Sequence, residues 1–135
     1  MPAEARARID IRLVPDMESD KVIDVIKAHL KTHGFEDIEV KVLDKYEWSK
    51  TDPDNPAVKV AVEAHRELGY DPKVIPMMPG SAPFYAFSRK LKLPVIATGL
   101  GYGARAHAPN EFITVDGLKR SIKYAAVFLL KYSRT

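Results

Sequence analysis

Between Ala5 and Leu13 every odd position is apolar and every even one charged (Ala5-Arg6-Ala7-Arg8-Ile9-Asp10-Ile11-Arg12-Leu13). Strict alternation is the signature of a half-buried strand. Pro15 and Asp16 end it, and Ser19 or Asp20 can cap the next segment. From 19 to 33 the period changes: Val22, Ile23, Ile26 and Leu30 fall at helical spacing, and Gly34 stands where a C-terminal cap is expected. Alternation returns at about 36–47 with Ile38, Val40 and Val42 on one face. The first stretch therefore predicts a β-α-β unit. Two strands and one helix bury little apolar surface by themselves.

Lys50-Thr51-Asp52-Pro53-Asp54-Asn55-Pro56 is polar and punctuated by proline, the best boundary in the chain. Beyond it helix and strand patterns alternate. A helix over about 56–68 starts on Pro56 and stops at Gly69, and Lys73 to Met77 reads as a short strand. A helix over about 82–91 turns Phe84, Phe87 and Leu91 inward. Pro94-Val95-Ile96-Ala97-Thr98 is an apolar strand suited to burial on both faces, and a last helix over about 115–132 is placed by Leu118, Ile122, Ala125 and Leu129. The pattern as a whole is α/β, with residues 1–49 and 54–135 as two domains.

Composition narrows the function classes. The 135 residues are 46% hydrophobic and 29% charged, the balance of a globular protein. Cysteine is absent, which excludes thiol catalysis and thiolate metal sites. The net charge of +3 is scattered, so no nucleic-acid partner is expected, and no apolar run approaches a membrane span. Gln is absent beside ten Pro, a weak lean towards a thermophile. A cytoplasmic location is the expectation.

Two places can carry chemistry. Gly99 to Thr114 is a long connection for so small a chain, and such loops are often functional. Its Gly99-Leu100-Gly101-Tyr102-Gly103 start does not open into a helix as a dinucleotide fingerprint must, and reads as a tight turn needing positive φ. Its Ala106-His107-Ala108-Pro109-Asn110-Glu111 segment offers a neutral imidazole, the commonest protein metal ligand, in a loop after a strand. Glu111 by itself reads as a structural acceptor near the following helix, and no second cluster of ligands accompanies His107. The other place is the polar face of the first strand, where Arg6, Arg8 and Arg12 can hold a carboxylate or make cross-strand ion pairs, the latter being the simpler reading. His29, His33 and His65 read as solvated or partly packed, Tyr46 and Trp48 as packing residues.

Three signatures in this order, the strand Pro2 to Pro15, the turn Gly80-Ser81-Ala82-Pro83 and the His107 segment, resemble the C-terminal part of the aminoacylase, acetylornithine deacetylase, succinyl-diaminopimelate desuccinylase and carboxypeptidase family. The resemblance runs from Pro2 to the final helix. It implies a co-catalytic zinc metallohydrolase, a deacylase or peptidase that cleaves an amide next to a free carboxylate. Residues 1–49 would be the second half of a β-α-β-β-α-β lid, or dimerisation, domain, and 54–135 the closing αβαβα part of the zinc-binding α/β domain. His107 matches the family's last zinc ligand, Arg12 its substrate-carboxylate arginine, and Gly80 and Ser81 its substrate-side loop. Pro79 stands where the common pattern has its first glycine.

The family's His-x-Asp motif, its bridging Asp and its Glu-Glu pair are not in this sequence. One imidazole cannot hold two zinc ions, and no general base is at hand. The expectation is a truncated or split enzyme, inactive as this chain alone, whose substrate in the complete form is an N-acyl amino acid or peptide and whose partner is a second copy or the missing N-terminal portion. The alternative is a non-catalytic binding or assembly module that pairs through the exposed lid strand.

Overall fold

The computed structural model describes residues 3–78 and 80–135. Pro2 and Pro79, at the start of the first signature and ahead of the glycine turn, lie outside the described residues. The chain groups into two compact units, Met1–Lys50 with Pro79–Lys92, and Thr51–Met78 with Leu93–Thr135. The first crossing falls in the polar stretch at 50–56. The segment after Met78, assigned by the pattern to the second domain, packs with the first unit.

In the first unit α1 (Ser19–Thr32) turns Val22, Ile23, Ile26 and Leu30 to its half-buried side. Neither Ser19 nor Asp20 caps it. Glu47 does so from 28 residues away, its carboxylate accepting the Ser19 backbone N–H at 3.3 Å and the Ser19 hydroxyl. A carboxylate suits this end of a helix, where the dipole is positive and N–H groups are unpaired. At the other end Phe35 N–H reaches the Leu30 carbonyl at 2.9 Å across Gly34, whose φ of 76° is the left-handed value such a cap demands.

Arg89 ties three pieces of this unit together. Its guanidinium pairs with Glu18 at 2.9 Å and Glu47 at 3.3 Å, and stacks 4.8 Å from the Trp48 ring centre. Trp48 is a packing residue as expected. Arg89 belongs to a five-residue π-helical turn, Ala86–Lys90, which is all that forms of the helix expected over 82–91. Phe84 is half-buried, but Phe87 and Leu91 are exposed.

The second unit is built on two helices. Asn55 caps α2 (Pro56–Glu67) by accepting Ala57 N–H at 2.9 Å, with Pro56 in the first position, where its missing N–H costs nothing. Ala57, Val60, Ala61, Ala64 and His65 form its buried stripe. They face α3 (Val115–Tyr132), where Tyr124 packs at 4.3 Å from the His65 ring and Lys131 pairs with Glu67 at 2.8 Å. Thr114 caps α3 by accepting Gly117 N–H at 3.1 Å. The stripe that placed α3 in the sequence faces the other way: Leu118, Ile122 and Leu129 are exposed, and Tyr124 is the buried contact. This helix is apolar on two sides, and only one of them is covered.

Among the described residues the one ladder is a two-residue antiparallel pair, β1 (Gly103–Ala104) with β2 (Phe112–Ile113). The expected strands at 5–13, 36–47, 73–77 and 94–98 make no ladder. A strand cannot close its own hydrogen bonds, and a partial sheet buries too little to hold its edges. Val95 has a single substitute, the Thr51 hydroxyl, which donates to its carbonyl and accepts its N–H, both at 2.8 Å. The α/β pattern is thus realised as helices with a small sheet.

Unpaired faces show in the surface. The chain exposes 11,198 Å² at 15.1 kDa, whereas one folded domain of that mass exposes about 7,100 Å² and two separate halves about 8,500 Å² in sum.

Candidate functional site

Arg12 and Ser81, 69 residues apart, meet in the first unit. Ser81 Oγ accepts from Arg12 Nη1, and Asp10 takes Nη2 at 2.8 Å. Asp10 and Arg12 share a face because side chains two apart on an extended segment point the same way. Arg12 keeps more than half its side chain exposed, so the rest of its donor fork is open to a ligand. Gly80, next to Ser81, is exposed as well. Among the described residues Arg6 pairs with Glu4 at 2.7 Å and Arg12 with Asp10 at 2.8 Å, so the ion pairs seen here run along the segment and not across strands.

His107 belongs to the second unit. It sits in the seven-residue connection between β1 and β2, so the long loop expected from 99 to 114 is a short hairpin. Arg105, His107 and Asn110 have φ of 63°, 62° and 61°. Three non-glycine residues in the left-handed region within six positions are unusual, and each costs on the order of 1 kcal/mol. The bends are held by Ala108 N–H to the Arg105 carbonyl at 2.9 Å and by the β1–β2 pair below them. His107 is exposed.

The glycines before this loop serve a different purpose from the one expected. Gly101 and Gly103 do not have positive φ; Gly103 is where a Cβ would meet the Phe112 carbonyl oxygen at 2.4 Å. Gly117, which the sequence does not flag, is hemmed in from two sides: a Cβ there would lie 2.5 Å from Tyr102 N and 2.7 Å from Thr114 Oγ1. It is the seat on which the loop meets α3, and a glycine one turn into a helix was the signal for it. The Glu111 side chain takes no hydrogen bond among the described residues, contrary to its reading as a structural acceptor. Thr114 fills that place.

No group of three or more metal-binding side chains exists among the described residues. The donor set is one exposed imidazole, which does not by itself fit a two-metal centre.

A family model for the Peptidase family M20/M25/M40 matches residues 2–131. The chain belongs to this family. It is 32% identical over 92 residues to a peptidase T of Shouchella clausii, covering 67% of this chain and 22% of that protein. Its structure is similar to that of an M20 family metallo-carboxypeptidase, Sso-CP2, from Sulfolobus solfataricus, with a TM-score of 0.79 and 34% identity over 92% of this chain and 29% of that one. The chain therefore spans less than a third of the length of either relative. Among its described residues no helix is long and apolar enough to cross a membrane.

Proposed function

We propose that this chain serves as the C-terminal part of a zinc-dependent M20 peptidase or N-acyl-amino-acid amidohydrolase, cleaving an amide beside a free carboxylate. The observation that carries the reading is the meeting of Arg12 with Ser81 and Asp10. Asp10 and Ser81 fix the guanidinium from two sides, which leaves a preorganised fork for a planar carboxylate. Such a site favours substrates that carry the carboxylate, because the guanidinium donors left over by Asp10 and Ser81 match its two oxygens. Gly80 presents open backbone beside it. His107 offers one nitrogen ligand from a loop whose backbone is strained, as binding sites often are. The remaining metal donors and the general base come from outside these 135 residues, and the chain alone does not hydrolyse.

The purified chain, supplied with zinc and a panel of N-acetyl amino acids and dipeptides, is expected to bind carboxylate ligands weakly and turn over none. Binding should vanish in Arg12→Ala and with ligands whose carboxylate is amidated. Zinc-dependent hydrolysis by the chain alone overturns the inactivity; binding indifferent to Arg12 overturns its role.

A second reading is favoured by a separate observation, the ladder-free alternating segment at 5–13 with Ile9 78% exposed. Unpaired strand edges template association. That edge suits an assembly module pairing with a second copy, or with an N-terminal portion of an M20 enzyme. Scattering measurements separate it: a monomer at all concentrations removes self-pairing.

A further inference from the structure

His29 lies in the last turn of α1 and His33 is its C-cap residue; neither has a part in the Arg12 and His107 sites. Residues four apart on a helix lie on one face, the spacing at which two imidazoles reach one metal ion. Their ring centres are 4.1 Å apart with a 36° tilt, and both residues are exposed.

The state of His33 is set by its surroundings. Its Nδ1 lies 2.8 Å from the His29 backbone carbonyl oxygen. A carbonyl only accepts, so Nδ1 carries a proton, and in the neutral ring Nε2 keeps the lone pair. Metal-ligating histidines are oriented in this way, with one nitrogen donating to a carbonyl and the other free for the ion. The ring of His29 makes no hydrogen bond among the described residues. His65 supplies the contrast within the same molecule. Its Nδ1 makes the same bond one turn back, to the Ala61 carbonyl at 2.8 Å, but its Nε2 faces Thr98 Oγ1 at 3.3 Å and the residue is only 6% exposed. The same helical device is closed in one place and open in the other.

We propose that His29 and His33 form a surface site for a borderline-soft divalent transition-metal ion, separate from any ion that His107 ligates. Two imidazoles leave the other coordination positions to water, so the ion exchanges readily. Copper and nickel bind more tightly than zinc there, as imidazole donors dictate. The ion bridges two successive turns and holds the end of α1 against fraying. None of this depends on the family reading.

The test is a titration of the isotope-labelled, untagged chain with nickel chloride, whose paramagnetism broadens nearby amide signals. Broadening is expected first around residues 29–34. His29→Ala and His33→Ala should each weaken it at least about ten-fold, the loss that removing even a supporting group of a metal site produces, while His107→Ala leaves it unchanged. Retention of the untagged chain on nickel-loaded chelating resin should be lost in the double variant, with helical circular dichroism unchanged. Broadening centred on His107 or His65, or retention that survives the double variant, overturns the proposal.

Discussion

The helix pair α2–α3 and the alternating segments at 5–13 and 36–47 have equally clear sequence patterns and opposite outcomes. The helices form where the pattern puts them, to within about a residue of the expected ends, and bury Val60, Ala64 and Tyr124 between them. The alternating segments form no ladder among the described residues, and Ile9, Ile38 and Val42 stay exposed. A helix closes its hydrogen bonds within itself, so a part of a protein can hold one. A strand borrows every hydrogen bond from a neighbour. Stability in this chain should therefore be concentrated in the helix pair.

The largest expected effect tests that concentration. Tyr124→Ala removes the ring that is 6% exposed and packed on His65, and should cost about 3 kcal/mol or more in urea unfolding, the scale for truncating a buried aromatic. An effect below about 1 kcal/mol would mean that α2 and α3 are not the stable part. Next is Gly117→Ala. Its Cβ has nowhere to go, 2.5 Å from Tyr102 N, and the clash should cost about 1–3 kcal/mol. Because the clash lies where the His107 loop meets α3, amide exchange in residues 102–114 should quicken more than in α2.

A third effect is smaller and depends on pH. The hydrogen bond from the Ser19 hydroxyl, aided by the Ser19 N–H and the charge of Arg89, holds the Glu47 carboxyl below its ordinary 4.5 against the opposing effect of burial. A depressed folded-state value means that the ionised form favours folding. That contribution is complete above the unfolded value near 4.5 and fades as pH falls through the lower folded one. Glu47→Gln keeps an acceptor oxygen but removes the charge at the helix N-terminus and beside Arg89, and should cost about 1 kcal/mol near neutrality. The two proteins should converge in acid. A gap that persists at pH 2 would assign the effect to packing and not to charge.

How much could be read in advance follows the same division. Pro56, Gly34 and Gly69 mark helix ends whatever lies around them, and those ends were legible. Arg12 stands out with Arg6 and Arg8 from the alternation, but only the family resemblance separates it from them and points to Ser81; no periodicity links positions 69 residues apart, and their meeting is a tertiary fact. Glu47 capping α1, and Arg89 joining Glu18 to Glu47, were illegible for the same reason. The stripe Leu118, Ile122, Ala125 and Leu129 places the helix correctly and says nothing of its packing. Apolar periodicity marks a face to be covered, not the neighbour that covers it. On α3 that face has no cover within this unit, and Tyr124 on the opposite side does the packing.

The smallest effect is the sharpest test of the strand half of the comparison. Ile9 is 78% exposed on a segment without ladder bonds, so Ile9→Ser should change the stability of the isolated chain by less than about 0.5 kcal/mol, as exposed substitutions do. Its alternating pattern nonetheless marks Ile9 as a residue meant for burial. If a partner strand docks there, the same substitution removes a buried side chain and costs about 2 kcal/mol of the association. Unfolding and sedimentation measured on one variant therefore answer different questions. Unchanged unfolding with weakened self-association would place the burial of Ile9 between chains, whereas a stability loss above about 1 kcal/mol at concentrations where the chain is monomeric would mean that 5–13 finds a partner within its own chain.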